Sequence, residues 1–547
     1  MNYSKTFRVL LVVVVLASSI TLYVSKLDDQ FVLVPLRPPQ PATAQENVTT
    51  EVLNLNCKCL LRKSNSGPAT VDQFNLVMSW LNLTTKQHLV NRHPNLPVNF
   101  VYQTSRGKAC TLVPTIFSIE WRNVYWQEVH LAEGTTLLLY SATYDPNTTG
   151  GKPCVRILAV TLSKQIPADA WCRFWYVPDQ PPVLAKVSSS DYLDYQAKNS
   201  GRQMPYLITC PLPPHAGQPV AVSLVRKPCD PATTLLQVAG SHQRASSAYR
   251  DGVLPQDPAS RVTGWVPAVC GPALFYYHND FSKRLVEWLE ILRAEGFGRV
   301  FLYATSVHPN LQKVLQYYEN EGFLQVTDYT YPPPYINEPS IRRLWTLVER
   351  TKMFAQENIY FTDCVLRHMH QHRFIAHYDP DEIPILPKHD NFTHFLDDFL
   401  TQAYTASQKK NKKKKPSGYR FQWNYFYDDL KPVGEASTLP EYLWALRHTL
   451  RPTKDLIATP GKFKALYDTD VVRGVFSHGT LQCSTGRCHF NSLITLKPSD
   501  AYLGHFSRKC GPKCTNITST KEELFLLKYK DQVTGAVTKV LQQLELI

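Results

Sequence analysis

The chain has 547 residues, of which 44% are hydrophobic and 12% aromatic, so a collagen-like, coiled-coil or wholly disordered protein is excluded. Its formal charge is +14, but six of the lysines lie in one run, Lys409 to Lys415, which leaves a mildly basic body. Such a balance suits anionic partners, namely nucleotide sugars, membrane headgroups or nucleic acid, and the compartment has to decide among them.

The N-terminus predicts the compartment. Lys5 and Arg8 precede an uncharged, mostly apolar stretch from Val9 to Val24. This pattern predicts a cytosolic tail over 1–8 and a single signal-anchor transmembrane helix over 9–27, with a cleavable signal peptide as the alternative. In both cases the body faces the secretory lumen, so we expect no nucleic-acid partner. The short anchor favours a single-pass type II protein of the Golgi membrane.

Two further features agree with a lumenal body. Asn-x-Ser/Thr motifs predict glycosylation at Asn47, Asn82, Asn147, Asn391 and Asn516. Thirteen cysteines predict disulfide bonds and, because the number is odd, at least one unpaired thiol. One group leaves a four-cysteine zinc site as the less favoured alternative, and it contains Cys483, Cys488, Cys510 and Cys514, with His489 beside them.

The segment after the anchor changes character twice. Prolines over 28–52 predict an extended stem. Short apolar runs such as Thr135 to Thr143 follow over 53–240, and their period-two alternation predicts an antiparallel, β-sandwich-like domain. A linker rich in Ser and Pro covers 241–262.

Residues 263–547 alternate between strand and helix patterns. Strands are predicted at Pro272 to Tyr277, Arg299 to Tyr303 and Leu324 to Val326. The first intervening helix has an apolar face made of Leu285, Trp288, Leu289 and Leu292. This order predicts an α/β domain with a mostly parallel sheet flanked by helices, in which ligands bind at the carboxyl ends of the strands.

A pair of aspartates follows one predicted strand. A helix over Phe354 to Gln371 and a strand over Arg373 to Tyr378 lead into Asp379-Pro380-Asp381-Glu382. Two adjacent carboxylates suit Mn²⁺ or Mg²⁺ bridging a diphosphate, because hard cations prefer oxygen ligands. The spacing itself does not distinguish this motif from a second copy, Asp468 to Asp470, and no Walker-type glycine loop occurs.

An ordered series of motifs resembles glycosyltransferase family 92. It comprises Val269 to Gly322, Asp363-Cys364, the Asp379 motif, Phe421 to Phe426, Ser477-His478 and Leu503 to Phe506, together with upstream matches from Tyr140. The resemblance implies a GT-A fold and an inverting, metal-dependent β-1,4-galactosyltransferase. Such an enzyme uses UDP-galactose and acts on a glycan or glycoprotein acceptor through galactose or fucose of an N-glycan. Pro380 stands where family members usually carry an aliphatic residue.

The resemblance also implies roles for single residues. Asp379 and Asp381 would hold the metal, with His505 preferred to His478 as a third ligand. Asp363 would order the nucleotide, or else be a helix-surface carboxylate. Glu382 would join the catalytic set by positioning the sugar or the two aspartates.

Inversion at the sugar requires a carboxylate base near the acceptor hydroxyl. Asp429 is our choice among the carboxylates that follow the aromatic segment, with Glu435 as the other catalytic candidate. Trp423 is the candidate acceptor-binding residue, because an indole can stack on a sugar ring, although a core role is equally compatible with the pattern.

Three alternatives stay open. The donor could instead be UDP-glucose or a UDP-N-acetylhexosamine, and the protein could be an inactive carbohydrate-binding or scaffolding protein on the same fold. The histidines His368, His370 and His372 form a weak zinc candidate. The lysine run is interpreted as a solvated loop, or as an attractor of anionic substrates.

Overall fold

The computed structural model describes residues 86–103, 113–146, 152–167, 169–178, 180–199, 201–213, 217–240, 266–275, 279–399, 415–453, 462–489, 492–508 and 520–547. All of them belong to one compact unit, Leu83–Ile547. The predicted tail, anchor and stem lie outside the described residues, as does most of the lysine run. Within the described part of the chain, no helix is both long enough and apolar enough to cross a membrane.

A short helix precedes the first sheet, which contains nine strands. The helix is α1 (Val98–Gln103), and the strands are β1 (Gln127–Ala132), β2 (Thr135–Asp145), β3 (Cys154–Thr161), β4 (Trp171–Trp175), β5 (Val183–Lys186), β6 (Ser189–Tyr192), β7 (Met204–Pro211), β8 (Ala221–Val225) and β9 (Leu236–Ala239). They are ordered β5-β4-β8-β9-β2-β3-β7-β6, with β1 paired to β2. All of these pairings are antiparallel except that of β2 with β9.

This first sheet curls over on itself. Four strands separate β4 from β7 in the sheet order, which in a flat sheet would place them about 24 Å apart at the usual strand spacing. The disulfide Cys172–Cys210 nevertheless joins them, with Cα atoms 6.1 Å apart. The two halves therefore face each other over an apolar core, as expected for a sandwich-like arrangement, and its centre includes Leu137, Val155, Ile157, Phe174 and Val222.

The second sheet begins with alternating strands and helices. Its elements are β10 (Ala268–Leu274), α2 (Ser282–Ala294), β11 (Arg299–Ala304), α3 (Pro309–Asn320), β12 (Leu324–Asp328), α4 (Pro339–Val348), α5 (Arg350–His368), β13 (Phe374–His377), β14 (Glu382–Ile385) and β15 (Gly418–Tyr427). The elements that follow in the chain are β16 (Leu450–Pro452), β17 (Phe463–Asp468), β18 (Val472–Phe476), β19 (Gly479–Cys483), β20 (Gly486–Arg487), β21 (Leu493–Thr495), β22 (Tyr502–Arg508), β23 (Thr520–Glu522) and α6 (Lys530–Gln543). Of these, β16 and β23 form a separate two-stranded sheet, and β18, β19 and β20 form a separate three-stranded sheet.

The second sheet is mixed. Its order is β12-β11-β10-β13-β17-β15-β22-β14, with β21 paired to β15. The strands β10 to β13 are mutually parallel, as are β15, β21 and β22, whereas β17 is antiparallel to both of its neighbours and β14 is antiparallel to β22. The fold is thus mixed α/β, and the prediction of a mostly parallel sheet holds for the half that carries the helices.

The hydrophobic periodicity of the sequence predicts which helices and strands form more accurately than the residues at which they begin and end. The predicted inner face of α2 is fully buried, and the indole of Trp288 donates a hydrogen bond to the carbonyl of Glu382 at 2.9 Å. The strand predicted from Pro272 is wrong at its start, since β10 begins at Ala268 and its register shifts between Cys270 and Ala273. Proline lacks an amide hydrogen, so it marks an irregularity in this strand and not its beginning.

Buried polar contacts join β2 of the first sheet to α5 and β18, and α5 to β11 of the second sheet. The carboxylate of Asp363 on α5 accepts hydrogen bonds from Ser141 of β2 and Tyr303 of β11, both at 2.6 Å, and pairs with Arg367 at 3.1 Å. Asp145 of β2 pairs with Arg473 of β18 at 2.6 Å. Both carboxylates are fully buried, and an arginine compensates the charge of each one.

Candidate active site

The Asp379 motif forms a tight turn at the carboxyl end of β13. The amide of Glu382 donates to the carbonyl of Asp379 at 2.9 Å, and the amide of Asp379 donates to the carboxylate of Glu382 at 2.9 Å. Pro380 therefore takes the second position of a four-residue turn, where its fixed φ is favourable. A proline is therefore compatible with this turn, which holds Asp379 and Asp381 close together.

A buried lysine binds this turn. Lys464 of β17 is 2% exposed, and its ammonium lies 2.8 Å from Asp379 and 3.2 Å from Glu382. Glu382 is fully buried, whereas the side chain of Asp379 is 37% exposed. The structure therefore places Glu382 as a positioning residue: its carboxylate holds the amide of Asp379 and the ammonium of Lys464 and does not face solvent.

Two histidines approach the turn from neighbouring strands. β22 pairs with β14 so that His505 lies opposite Glu382, and the His505 Nε2 atom is 3.6 Å from the carboxylate of Asp381. The amide of Phe506 donates to the carbonyl of Asp381 at 2.9 Å, which fixes this register. His478, between β18 and β19, contacts the carbonyl of Phe463 through Nδ1 at 2.8 Å.

Trp423 links the two imidazoles. Its ring stacks on His505 at 4.8 Å between centroids and meets His478 edge-on at 5.3 Å. The parallel pairing of β15 with β22 causes this contact, because Trp423 pairs with Leu503 two residues before His505. Among the described residues, none accepts a hydrogen bond from the Trp423 Nε1 atom.

Burial and the ammonium set the charges of the site. Burial lowers the pKa of His478 to about 4 and also lowers the pKa of His505. Burial raises the pKa of Asp379, but Lys464 outweighs this effect and leaves the pKa below its usual value. Burial by itself would lower the pKa of Lys464, but the carboxylates of Asp379 and Glu382 outweigh this effect and hold the pKa above its usual value. Near pH 7 the site therefore combines ionised Asp379, charged Lys464 and two neutral imidazoles.

The second Asp-x-Asp copy lies at the opposite end of β13. Phe374, the first residue of β13, is opposite Asp468, whereas Asp379 follows the last residue of that strand. Arg373 pairs with Asp468 at 3.0 Å and with Asp470 at 3.4 Å. The second copy therefore forms ion pairs with Arg373, at the end of β13 that lies away from Lys464 and His505.

Several predicted residues lie outside this cluster. The alternative that Asp363 is a helix-surface carboxylate is wrong, because the carboxylate is buried and accepts from Ser141, Tyr303 and Arg367. Its role in ordering a nucleotide stays a prediction. Glu435 pairs with Lys530 of α6 on the protein surface. Asp429 is exposed and follows the end of β15 by two residues.

The zinc interpretations have different outcomes. Each histidine of the His368 group has its own partner: His368 stacks on Phe301, His370 contacts a carbonyl of β2, and His372 contacts the carbonyl of Val266. They are separated by these partners and do not converge. Cys483 and Cys488 form a disulfide bond, as favoured for a lumenal protein, and Cys154 is free and buried.

One glycosylation motif falls within the described residues. Asn391 immediately precedes a helical segment over 392–399, and its side-chain oxygen accepts a hydrogen bond from the amide of His394 at 2.9 Å. This contact uses the oxygen and leaves the nitrogen to which a glycan would be attached. The other predicted sites, Asn47, Asn82, Asn147 and Asn516, lie outside the described part of the chain.

Lys464 is the site residue that the sequence analysis missed. It lies in the run Phe463-Lys464-Ala465-Leu466-Tyr467, and a single lysine in an otherwise apolar strand indicates a buried, paired charge. That signal identifies a buried cation without identifying its partners.

The sequence was compared with known families and proteins. The model of glycosyltransferase family 92 matches residues 267–543, about half of the chain. A search of curated proteins finds no match.

Among solved structures, two crystal structures of S. aureus TarS 1-349 align with this chain. One has 13% identity and a TM-score of 0.19, covering 37% of this chain and 47% of TarS. The other, in complex with UDP-GlcNAc, has 12% identity and a TM-score of 0.22, covering 50% of this chain and 72% of TarS. Both scores are too low to establish a shared fold.

Proposed function

Because the chain belongs to glycosyltransferase family 92, we propose that it is an inverting, metal-dependent glycosyltransferase with a GT-A-type catalytic domain. It transfers galactose from UDP-galactose to a glycan acceptor in β-1,4 linkage. The observation that supports this function is the turn that presents Asp379 and Asp381 at the carboxyl end of β13, beside the imidazole of His505.

The donor set suits Mn²⁺ or Mg²⁺. Asp379 and Asp381 offer partly exposed carboxylates, and the lowered pKa of His505 keeps its imidazole neutral, as metal binding requires. The His505 nitrogen and the Asp381 oxygen are 3.6 Å apart, so His505 is preferred over His478 as the third ligand. When bound, the ion neutralises the charge that develops on the departing diphosphate.

The protein's own residues perform the remaining tasks. Lys464 and Glu382 hold the Asp379 turn in place before any ligand arrives. Trp423 presents an aromatic surface for a sugar ring. Asp429 accepts the proton of the acceptor hydroxyl while that oxygen bonds to the anomeric carbon and the bond from this carbon to UDP breaks. The exposed position of Asp429 allows access to an acceptor.

A carbohydrate-binding or scaffolding protein without activity is the second candidate. The observation in its favour is Lys464, because its ammonium already compensates the carboxylate of Asp379 without a metal ion. The two functions differ in turnover: an enzyme consumes a UDP-sugar, whereas a binding protein only binds the glycan.

The test measures consumption of several UDP-sugars by the full-length chain, with and without Mn²⁺, in the presence of galactose- and fucose-terminated glycans. We expect Mn²⁺-dependent consumption of UDP-galactose, and a loss of about a hundredfold or more in Asp379→Asn and Asp381→Asn. Asp470→Asn, in the other Asp-x-Asp copy, is the matched control and should retain the parent rate. Folded protein that consumes no donor but binds glycans would support the binding function.

We also infer that the protein is a type II Golgi membrane protein with its catalytic domain in the lumen. The basis is the N-terminal sequence and the glycosylation motifs. Treatment of the expressed protein with an endoglycosidase should increase its electrophoretic mobility, and an unchanged mobility would contradict lumenal exposure.

A further inference from the structure

Helix α4 turns its polar side inward. Its two buried residues are Arg342 and Thr346. The guanidinium of Arg342 donates to the hydroxyl of Ser306 and to the carbonyl of Asn337, the latter at 3.0 Å, and the hydroxyl of Thr346 donates to the carbonyl of Arg342 at 2.8 Å. A surface helix normally buries its apolar side and exposes its polar side. In α4 this arrangement is reversed.

The outer side of α4 is apolar. It carries four aliphatic side chains that are 44–74% exposed, namely Ile341, Leu344, Leu347 and Val348. With 3.6 residues per turn, these positions form one continuous stripe, which we call the α4 stripe. Ile336, 50% exposed, lies beside it, since its carbonyl accepts a hydrogen bond from the indole of Trp345 at 3.0 Å. Single exposed apolar residues are ordinary, whereas a contiguous group marks an interaction surface.

The charged residues around the α4 stripe leave a positive excess. Arg343 borders the stripe and Arg350 follows the helix; both are exposed, and among the described residues no carboxylate forms an ion pair with either. Of the nearby carboxylates, Glu349 pairs with Lys352 at 2.6 Å, and Glu338 is the N-cap of α4. Two arginines therefore stand against one carboxylate that has no cation of its own. Arginine binds phosphate groups through two parallel hydrogen bonds, so this excess suits a phosphate-bearing partner.

A phospholipid surface combines the two properties that the α4 stripe requires. An amphipathic helix at a bilayer buries its apolar side about 5–10 Å deep, at the boundary between headgroups and acyl chains, and its basic residues remain near the phosphates. A second protein molecule fits less well, because a stable interface uses about 20–30 residues on each side. The stripe, Ile336 and the two arginines provide only seven.

We propose that the α4 stripe binds the surface of a phospholipid bilayer. The aliphatic side chains enter the boundary between headgroups and acyl chains, and Arg343 and Arg350 bind lipid phosphates. One short helix binds a bilayer weakly, but the anchor predicted over 9–27 would hold the chain at the membrane and make a second contact effective. The contact determines which side of the compact unit faces the bilayer. This inference goes beyond the proposed transferase function and does not depend on it.

The test places a fluorescent probe in the α4 stripe. The dye NBD is attached to Leu344→Cys in the full-length chain, and the chain is incorporated into vesicles of phosphatidylcholine and phosphatidylserine, with or without nitroxide groups on the acyl chains. We expect the nitroxide lipid to quench the probe by about half or more, because the stripe reaches the acyl-chain boundary. The parent chain, labelled in the same way, measures the background from native thiols.

The matched control for position is Ile494→Cys on β21. Ile494 is 40% exposed and lies at the start of β15, whereas Arg342 attaches α4 to Ser306 beyond the carboxyl end of β11. The nitroxide lipid should quench a probe at this position by less than about a tenth, because the bilayer contacts the α4 side of the molecule.

A second variant tests the charge. Arg343→Glu combined with Arg350→Glu, in the Leu344→Cys chain, should reduce the quenching about twofold or more, because each basic residue near an anionic membrane favours binding. Both arginines are exposed, so the variant should fold. Lys539→Glu changes an exposed charge on α6 and should leave the quenching at the parent value.

Three results would overturn the inference. The absence of quenching at position 344 would show that the α4 stripe stays in water. Equal quenching at positions 344 and 494 would show that the lipid contact is unspecific. A probe signal that changes with protein concentration but not with nitroxide lipid would assign the stripe to a second copy of the chain. None of these measurements involves turnover, so they leave the test of the transferase function independent.

Discussion

Replacing Lys464 with methionine tests the buried charge cluster of the candidate active site. The substitution keeps the length and apolar stem of the side chain and removes the ammonium. Glu382, which is fully buried, then loses its nearby cation, whereas Asp379 is 37% exposed and can be partly solvated. The destabilisation should therefore come mainly from Glu382.

The magnitude follows from the distances. At 3.2 Å and an effective dielectric constant of about 20, the attraction between Lys464 and Glu382 is roughly 5 kcal/mol before the cost of desolvating the lysine is subtracted. Breaking a buried pair by removing one partner typically costs about 3–5 kcal/mol. Burial raises the pKa of Glu382 well above its usual value, and removing Lys464 raises it further, so the carboxyl can take up a proton and the lower end of that range, about 3 kcal/mol, applies. We expect the free energy of unfolding of Lys464→Met to fall by about this amount.

The assay is urea denaturation at pH 7, followed by tryptophan fluorescence. Lys462→Met is the matched control, because Lys462 is only partly buried and donates to the hydroxyl of Tyr425 at 3.1 Å, so it should lose less than about 1 kcal/mol. Adding Glu382→Gln to Lys464→Met removes the residual charge and should recover part of the loss. A loss below about 1 kcal/mol in Lys464→Met would refute the view that the ammonium stabilises the turn.

Other expectations concern buried titratable groups. Burial lowers the pKa of His377 to about 3, so below pH 6.5 the unfolded chain binds a proton more readily than the folded chain. The free energy of unfolding should therefore fall by about 2 kcal/mol between pH 6.5 and pH 5 because of this residue. Urea titrations of His377→Phe should show a correspondingly flatter dependence of stability on pH. Asp363→Asn leaves Arg367 without its anion and should cost about 3–5 kcal/mol in the same assay, and a loss below 1 kcal/mol would contradict a structural role. Burial raises the pKa of the Cys154 thiol to about 12, so peptide mapping should find it alkylated after denaturation and protected in the native protein.

Local periodicity allowed much of the second sheet to be predicted. The inner face of α2 and the strand before Asp379 depend on apolar residues spaced along one segment, and such spacing is visible in the sequence. The grouping of Asp379 with His505 came from the ordered family motifs, and the 3.6 Å distance from His505 to Asp381 agrees with it.

Contacts between distant segments could not be read from the sequence. The two Asp-x-Asp copies are indistinguishable by spacing, and only the antiparallel pairing of β13 with β17 places Asp468 and Asp379 at opposite edges. The same pairing brings Lys464 to Asp379 across 85 residues. The place of Asp363 in a motif predicts a role in ordering a nucleotide, but its partners Ser141 and Tyr303, which come from two different sheets, could not be read from the sequence.

The contacts of Asp145 and Asp363 have a consequence for the limits of the folding unit. The family match begins at residue 267, yet Arg473 and Asp363 within it find partners on β2. A fragment starting at 267 would expose the aromatic surface that Tyr140 covers and would leave the Arg473 guanidinium without Asp145. In this protein, the family match over 267–543 is narrower than the compact unit Leu83–Ile547 to which its buried side chains belong.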